Sequence, residues 1–145
     1  MEKQLIKGKR LARKLALQAL YQWSMSGHEL VEIETQFRCA NKLDKADNDY
    51  FCHLLKGVPR HLAHLEESFL PYLDRPINSL NPVELALLRI GAFELHYCLE
   101  IPYRVILDEA VSLAKEFGSQ DGFRYVNGVL NNLARQVRTV EINNE

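Results

Sequence analysis

The stretch Asn81-Pro82-Val83-Glu84-Leu85-Ala86-Leu87-Leu88-Arg89-Ile90-Gly91-Ala92-Phe93-Glu94-Leu95 decides the fold class. Asn is a good helix N-cap, Pro suits the first helical position, and a Glu three residues after the cap can reach back to it. The helix that starts here runs to about Cys98 and is the most apolar in the chain. Apolar side chains all round its circumference predict a central helix, packed on several sides.

Working outward, the same helical period recurs on both sides. Toward the N-terminus, Asp74 to Leu80 is a connector, and a helical stretch through Leu62, Leu65 and Phe69 precedes it, shortened or bent by Pro71. A helix follows Asp47, with Tyr50, Phe51, Leu54, Leu55 and Val58 on its apolar face. Another, from about Leu30 to Ala40, places Leu30, Ile33 and Phe37 in register. The first runs from Lys9 to Ser26, puts Ala12, Leu15, Ala16, Ala19, Leu20 and Trp23 on one side, and ends at Gly27. Toward the C-terminus, Pro102 opens a helix that ends at Phe117-Gly118. The last begins near Asp121 and carries Val126, Val129, Leu130, Leu133 and Val137. Gly128 within it costs helix stability and predicts a close helix contact. Alternating β-branched runs and hairpin turns are missing. The expected fold is all-α: a compact bundle of about six or seven helices forming one domain over residues 1–145, with flexible ends at 1–8 and 140–145.

The charge is unevenly placed. Residues 1–14 hold Lys3, Lys7, Lys9, Arg10, Arg13 and Lys14 against Glu2, a formal +5, whereas the whole chain is -1, so residues 15–145 sum to -6. A basic head on an acidic body is the footprint of a polyanion partner, most naturally a nucleic acid. No apolar run approaches the ~18–20 residues of a membrane span, and Arg13, Lys14, Gln18 and Gln22 interrupt anything resembling a signal peptide. These features place the chain in the cytoplasm. Cys39, Cys52 and Cys98 form no Cys-x-x-Cys pair, so they read as buried free thiols.

On the first helix, with Arg10 at 0°, Lys14 falls at about +40°, Arg13 at about -60°, Tyr21 at about +20° and Gln18 at about +80°. The cations and Tyr21 therefore share the face opposite Trp23 and the alanines. Cations neutralise phosphates, and an exposed tyrosine can stack on an unpaired base. A solvated basic face with Tyr21 half-buried is the plainer alternative.

A second constellation is Phe117-Gly118-Ser119-Gln120-Asp121-Gly122-Phe123-Arg124-Tyr125-Val126-Asn127-Gly128, a helix end, a loop and a new helix start. Rings at Phe117, Phe123 and Tyr125 combine with polar groups at Ser119, Gln120, Asp121, Arg124 and Asn127, a mixture suited to reading single-stranded bases. Plain helix capping, with Asp121 as N-cap and Phe123 and Val126 in the core, competes with that reading. His61 and His64 share a helix spacing, but a zinc site would need Glu67, Cys52 or another ligand to converge on them, so no metal is expected. Nucleophile-elbow, phosphate-loop, dinucleotide and zinc-protease signatures are absent, and the adjacent acids Glu66-Glu67 and Asp108-Glu109 diverge on a helix. Neither catalysis nor a cofactor is expected.

Several of these segments together resemble the NusB family of bacterial transcription antitermination factors. The matching pieces are Ala16-Leu17-Gln18-Ala19-Leu20-Tyr21-Gln22-Trp23 after the basic start, Val83 through Leu95, Ile101-Pro102-Tyr103 with Asp108-Glu109-Ala110, and Leu113 through Gly118 running on to Tyr125-Val126-Asn127-Gly128-Val129-Leu130. The resemblance spans nearly the whole chain. It implies an all-helical fold of two packed sub-bundles. It also implies binding to the boxA element of nascent ribosomal RNA as a heterodimer with NusE, a small-subunit ribosomal protein, within the RNA polymerase antitermination complex. The family's basic N-terminus maps onto Lys7, Lys9, Arg10 and Arg13, and its RNA-facing tyrosine onto Tyr21. Its junction residues map onto Phe117, Gln120, Asp121, Arg124 and Tyr125, and its NusE-facing positions onto Tyr72, Glu84 and Arg89. Lysines and Gly8 dilute the arginines of the basic run, so bidentate phosphate forks are fewer. Asn78 stands where the family can place an acid, close to Pro76. Two other classes are a helical protein–protein adaptor and an RNA-modification accessory, since a NusB-like domain also heads some ribosomal-RNA methyltransferases. Self-association into a homodimer is a further state that the family shows.

Overall fold

The computed structural model describes residues 2–40 and 43–145. It contains α1 (Glu2–Ser26), α2 (Leu30–Cys39), α3 (Asn48–Arg60), α4 (Leu62–Phe69), α5 (Pro82–Tyr97), α6 (Tyr103–Phe117), α7 (Gly122–Val137) and the short α8 (Thr139–Asn143). Two 3-10 turns, Leu70–Tyr72 and Ile77–Ser79, lie between α4 and α5. Among the described residues there is no strand. The chain divides into two compact units, Met1–Arg60 and His61–Glu145.

In the first unit, α1 packs on α3 and α2. Ile33 and Phe37 of α2 and Phe51, Leu54, Leu55 and Val58 of α3 are buried, with the Phe37 and Phe51 rings stacked 5.7 Å apart. Asp47 caps α3 by accepting from the Tyr50 N–H at 2.9 Å, and its own N–H donates to the Gly8 carbonyl at 3.0 Å. That contact explains why α1 begins at Glu2 rather than Lys9. Gly8 is buried against the backbone before α3, so residues 2–8 are drawn into the helix; Met1 lies outside the described residues.

The second unit is built around α5, which packs on α4, α6 and α7, as its apolar circumference predicts. Asn81 caps it, accepting from the Val83 and Glu84 N–H groups at 2.9 and 3.3 Å. The Glu84 side chain does not return to the cap, because it is engaged elsewhere. Gly91 is the close contact: an added Cβ would lie 2.6 Å from Leu130 Cδ1 of α7. Gly128, expected to sit at such a contact, is exposed with nothing within 4 Å of an added Cβ. The α7 stripe formed by Val126, Val129, Leu130 and Leu133 leaves residue 128 on the outer side. Pro71 does end a helix, α4 giving way to a 3-10 turn after Phe69.

The C-terminal segment makes side-chain bonds to the start of α6 and to Arg138. Glu141 accepts from the Tyr103 N–H at 2.9 Å and from Arg138 at 2.7 Å. Glu145 accepts from the Tyr103 hydroxyl at 2.8 Å and, bidentately, from Arg104 at 3.0 and 3.1 Å. Of the three cysteines only Cys98 is buried; Cys52 is half-buried and Cys39 exposed. No helix among the described residues is long and apolar enough to cross a membrane.

Candidate nucleic-acid interface

The first unit presents the basic face of α1. Lys3, Lys7 and Arg10 are exposed, and Lys9, Lys14, Gln18 and Tyr21 are half-buried. Lys9 pairs with Asp47 at 3.5 Å and lies 4.7 Å from the centroid of the Tyr50 ring. Arg13 departs from the expectation. It is only 4% exposed, its guanidinium 5.4 Å from the centroid of the same ring. Leu17, near Arg10 in helical angle, is buried too. The apolar surface of α1 therefore wraps further round the helix than a single stripe, and Arg13 is caught inside it. Such a buried cation stabilises a ring contact and is poorly placed to grip a phosphate. Trp23, placed with the core by period, is half-buried near the helix end.

The second unit presents the junction between α6 and α7. Phe117, Ser119, Gln120, Asp121 and Arg124 are exposed, and Phe123 and Tyr125 are half-buried. Asp121 occupies the cap position but adopts a left-handed backbone, φ 66°, and its side chain caps nothing. It lies 3.7 Å from Arg124 instead. The Phe123 ring has two cations near its face, Lys115 at 4.8 Å and Arg124 at 5.3 Å. The Tyr125 hydroxyl accepts from the Asp74 N–H at 3.3 Å, and its ring lies under Arg75 at 4.6 Å. Burial raises the Tyr125 phenol above its ordinary value, so it stays a neutral hydroxyl at physiological pH. The hydrogen bond from Arg75 lowers the Asp74 carboxyl below its usual range. The junction thus offers exposed amides and cations around half-buried rings, which suits bases and phosphates together.

The three positions with an expected protein-partner role lie in the same unit but in different settings. Tyr72 is half-buried in the first 3-10 turn. Arg89 is committed to Glu66 through two donors, at 2.8 and 3.1 Å. Glu84 is 7% exposed and accepts from the Ser119 N–H at 2.9 Å and the Ser119 hydroxyl at 2.6 Å. That burial leaves Glu84 little surface for a partner. Residues that sequence reasoning missed are Asp47, Tyr50, Asp74, Arg75 and Lys115. Each acts through a neighbour distant in sequence, apart from Lys115, whose spacing of eight from Phe123 spans a helix end and carries no periodic signal. Of the metal candidates, His64 is bonded to the Tyr97 hydroxyl at 2.8 Å and His61 stacks on Tyr97 at 4.4 Å. Among the described residues no group of three His, Cys, Asp or Glu could hold a metal ion.

The NusB family profile matches residues 10–135. The chain belongs to the NusB family. Among NusB relatives, the transcription antitermination protein NusB of Legionella pneumophila (strain Corby) is 70% identical over 142 residues, covering 98% of this chain and 97% of the relative. That of Hahella chejuensis is 48% identical over 134 residues, covering 92% of this chain and 90% of the relative. In solved structures, T. maritima NusB matches with a TM-score of 0.73 at 25% identity, covering 88% of this chain and 90% of that one. A complex of the antitermination factors NusB and NusE with dsRNA contains a chain of the same fold, with a TM-score of 0.73 at 24% identity, covering 88% of this chain and 96% of that one. The NusB fold expected from the sequence is therefore the fold observed.

Proposed function

We propose that this chain is a transcription antitermination factor that binds the boxA element of nascent ribosomal RNA together with NusE, and that it works by binding alone. The observation that carries the reading is the 70% identity, over nearly the whole length, to chains named as transcription antitermination proteins. The site geometry supports it. Lys7, Lys9, Arg10 and Lys14 supply cations for the RNA backbone in one unit, with Gln18 and Tyr21 beside them. In the other unit Phe117, Gln120, Asp121, Arg124 and Tyr125 contact bases. Phosphate contacts give affinity without sequence information, so base contacts and the partner must give specificity. The NusE surface is proposed around Tyr72 and Arg89, and a fold relative has been solved with NusE and dsRNA. Acting on nascent RNA beside the polymerase, the protein works in the cytoplasm.

A three-way titration tests this reading: the chain, NusE, and boxA or scrambled single-stranded RNA, at two salt concentrations. BoxA RNA should bind more tightly than scrambled RNA, and more tightly still with NusE present. Affinity should fall with salt, by a log–log slope of about 0.7 for each phosphate contacted. Equal binding of both RNAs in the presence of NusE would refute the proposed function.

A further inference from the structure

We propose that Glu84 is a positioning residue that shapes the RNA-reading junction, and so helps determine which RNA the loop from Gly118 to Gly122 accepts. The proposal rests on the reading of that junction as an RNA contact.

The loop is wrapped around one carboxylate oxygen. Oε2 of Glu84, in the first turn of α5, accepts both the backbone N–H and the hydroxyl of Ser119. Glycines flank the contact on both sides. An added Cβ at Gly118 would lie 3.1 Å from this oxygen and 2.7 Å from the Ala114 carbonyl oxygen. At Gly122 it would collide with the same oxygen and lie 2.5 Å from the Glu84 carboxyl carbon. Both positions therefore lack a side chain where the carboxylate must enter. The left-handed Asp121 completes the turn. The outcome is a loop whose inward side is held by Glu84 while Gln120 and Asp121 remain exposed on the other. Two bonds that converge on one buried acceptor oxygen fix the backbone N–H and the hydroxyl of Ser119 together, and so select one loop conformation. A preformed loop binds at lower entropic cost than one that must be ordered on contact.

A glutamate at this position could instead serve a partner through its charge. The two roles make opposite demands. Gln keeps the length and a carbonyl oxygen able to accept both bonds, but loses the charge. Asp keeps the charge but is shorter by one methylene, about 1.5 Å of reach.

The experiment compares wild type, Glu84→Gln, Glu84→Asp and Ser119→Ala. It measures affinity for boxA and scrambled RNA, affinity for NusE, and hydrogen exchange of the Ser119 amide. In Glu84→Asp the boxA-over-scrambled ratio should fall about tenfold, with faster exchange at Ser119, whereas Glu84→Gln should stay within about threefold of wild type on both. Ser119→Ala, which removes one of the two bonds, should lie between them. NusE affinity should change by less than about twofold in all three variants. The opposite order, with Asp tolerated and Gln losing NusE, would assign Glu84 to the partner and overturn the proposal. So would an unchanged RNA ratio in Glu84→Asp, or an equal loss of RNA binding, NusE binding and thermal stability in both Glu84 variants. Failure of the proposed function would appear in the wild type itself, as equal binding of the two RNAs, and would remove the basis for this assignment too.

Discussion

Arg138 and Leu95 are joined by a 2.9 Å hydrogen bond from the guanidinium Nε to the backbone carbonyl oxygen. The same guanidinium donates to the carbonyls of Glu94 at 3.2 Å, Cys98 at 3.0 Å and Ile101 at 2.9 Å, and to the Glu141 carboxylate at 2.7 Å. A helix end leaves its last carbonyls without intrahelical partners. Here one arginine from beyond α7, 4% exposed, satisfies the end of α5. Arg138→Ala strips the guanidinium from the Leu95 and Ile101 carbonyls, whereas those of Glu94 and Cys98 keep the N–H groups of Cys98 and Ile101, and it should cost about 3 kcal/mol, measured by urea denaturation. Arg138→Lys, with fewer donors and no planar fork, should recover only part of the loss.

The two helical glycines Gly91 and Gly128 should respond to alanine with opposite signs. At Gly91 the new methyl meets Leu130 Cδ1 at 2.6 Å and Cδ2 at 2.9 Å, between α5 and α7. Overpacking there should destabilise by about 1–3 kcal/mol. At Gly128 the methyl meets nothing within 4 Å, so alanine should stabilise by up to about 1 kcal/mol through helix propensity. Thermal melts of the two single variants give the comparison directly, and a loss at Gly128 would point to a contact absent from the described surroundings.

Lys7 and Arg13 should separate RNA binding from stability. Lys7 is exposed on α1, so Lys7→Ala should weaken RNA binding and reduce the salt slope by about 0.7 with no change in melting temperature. Arg13 is buried beside Tyr50, so Arg13→Ala should lower the melting temperature first. Binding titrations at several salt concentrations, paired with melts, would show the exchange of roles if this assignment is inverted.

His96 should make the protein less stable in mild acid. Burial, then the nearby His64 and Arg138, hold its imidazole below the ordinary value. Its Nε2 is buried without a hydrogen-bond partner among the described residues. As pH falls through the unfolded value of about 6.5, the unfolded chain takes up a proton at this position while the folded chain does not. Stability is therefore fully present above that value and declines below it, until the folded histidine is protonated as well. The urea midpoint should drop between about pH 7.5 and about pH 5.5, and His96→Gln should flatten that part of the profile. An identical drop in the variant would exclude His96 as the cause.

Local chemistry made much of the molecule legible in the sequence alone. Helical period and caps act within about four residues, and they marked α2 through α7 closely. They include the Asn81 cap, the central α5 and the α6–α7 junction that carries Phe117 to Tyr125. The basic head was legible too, because charge is counted rather than folded. What the tertiary structure alone decided was which side chains the fold consumes. Arg13 shares a helical face with exposed cations, yet the burial of α1 extends round to enclose it. Glu84, in the first turn of its helix, answers Ser119 across 35 residues of sequence rather than its own cap. The tail is held through Tyr103 and Arg104 from about 40 residues away. Periodicity ranks the faces of a helix, but only packing decides which distant backbone arrives at each face and which polar group must meet it.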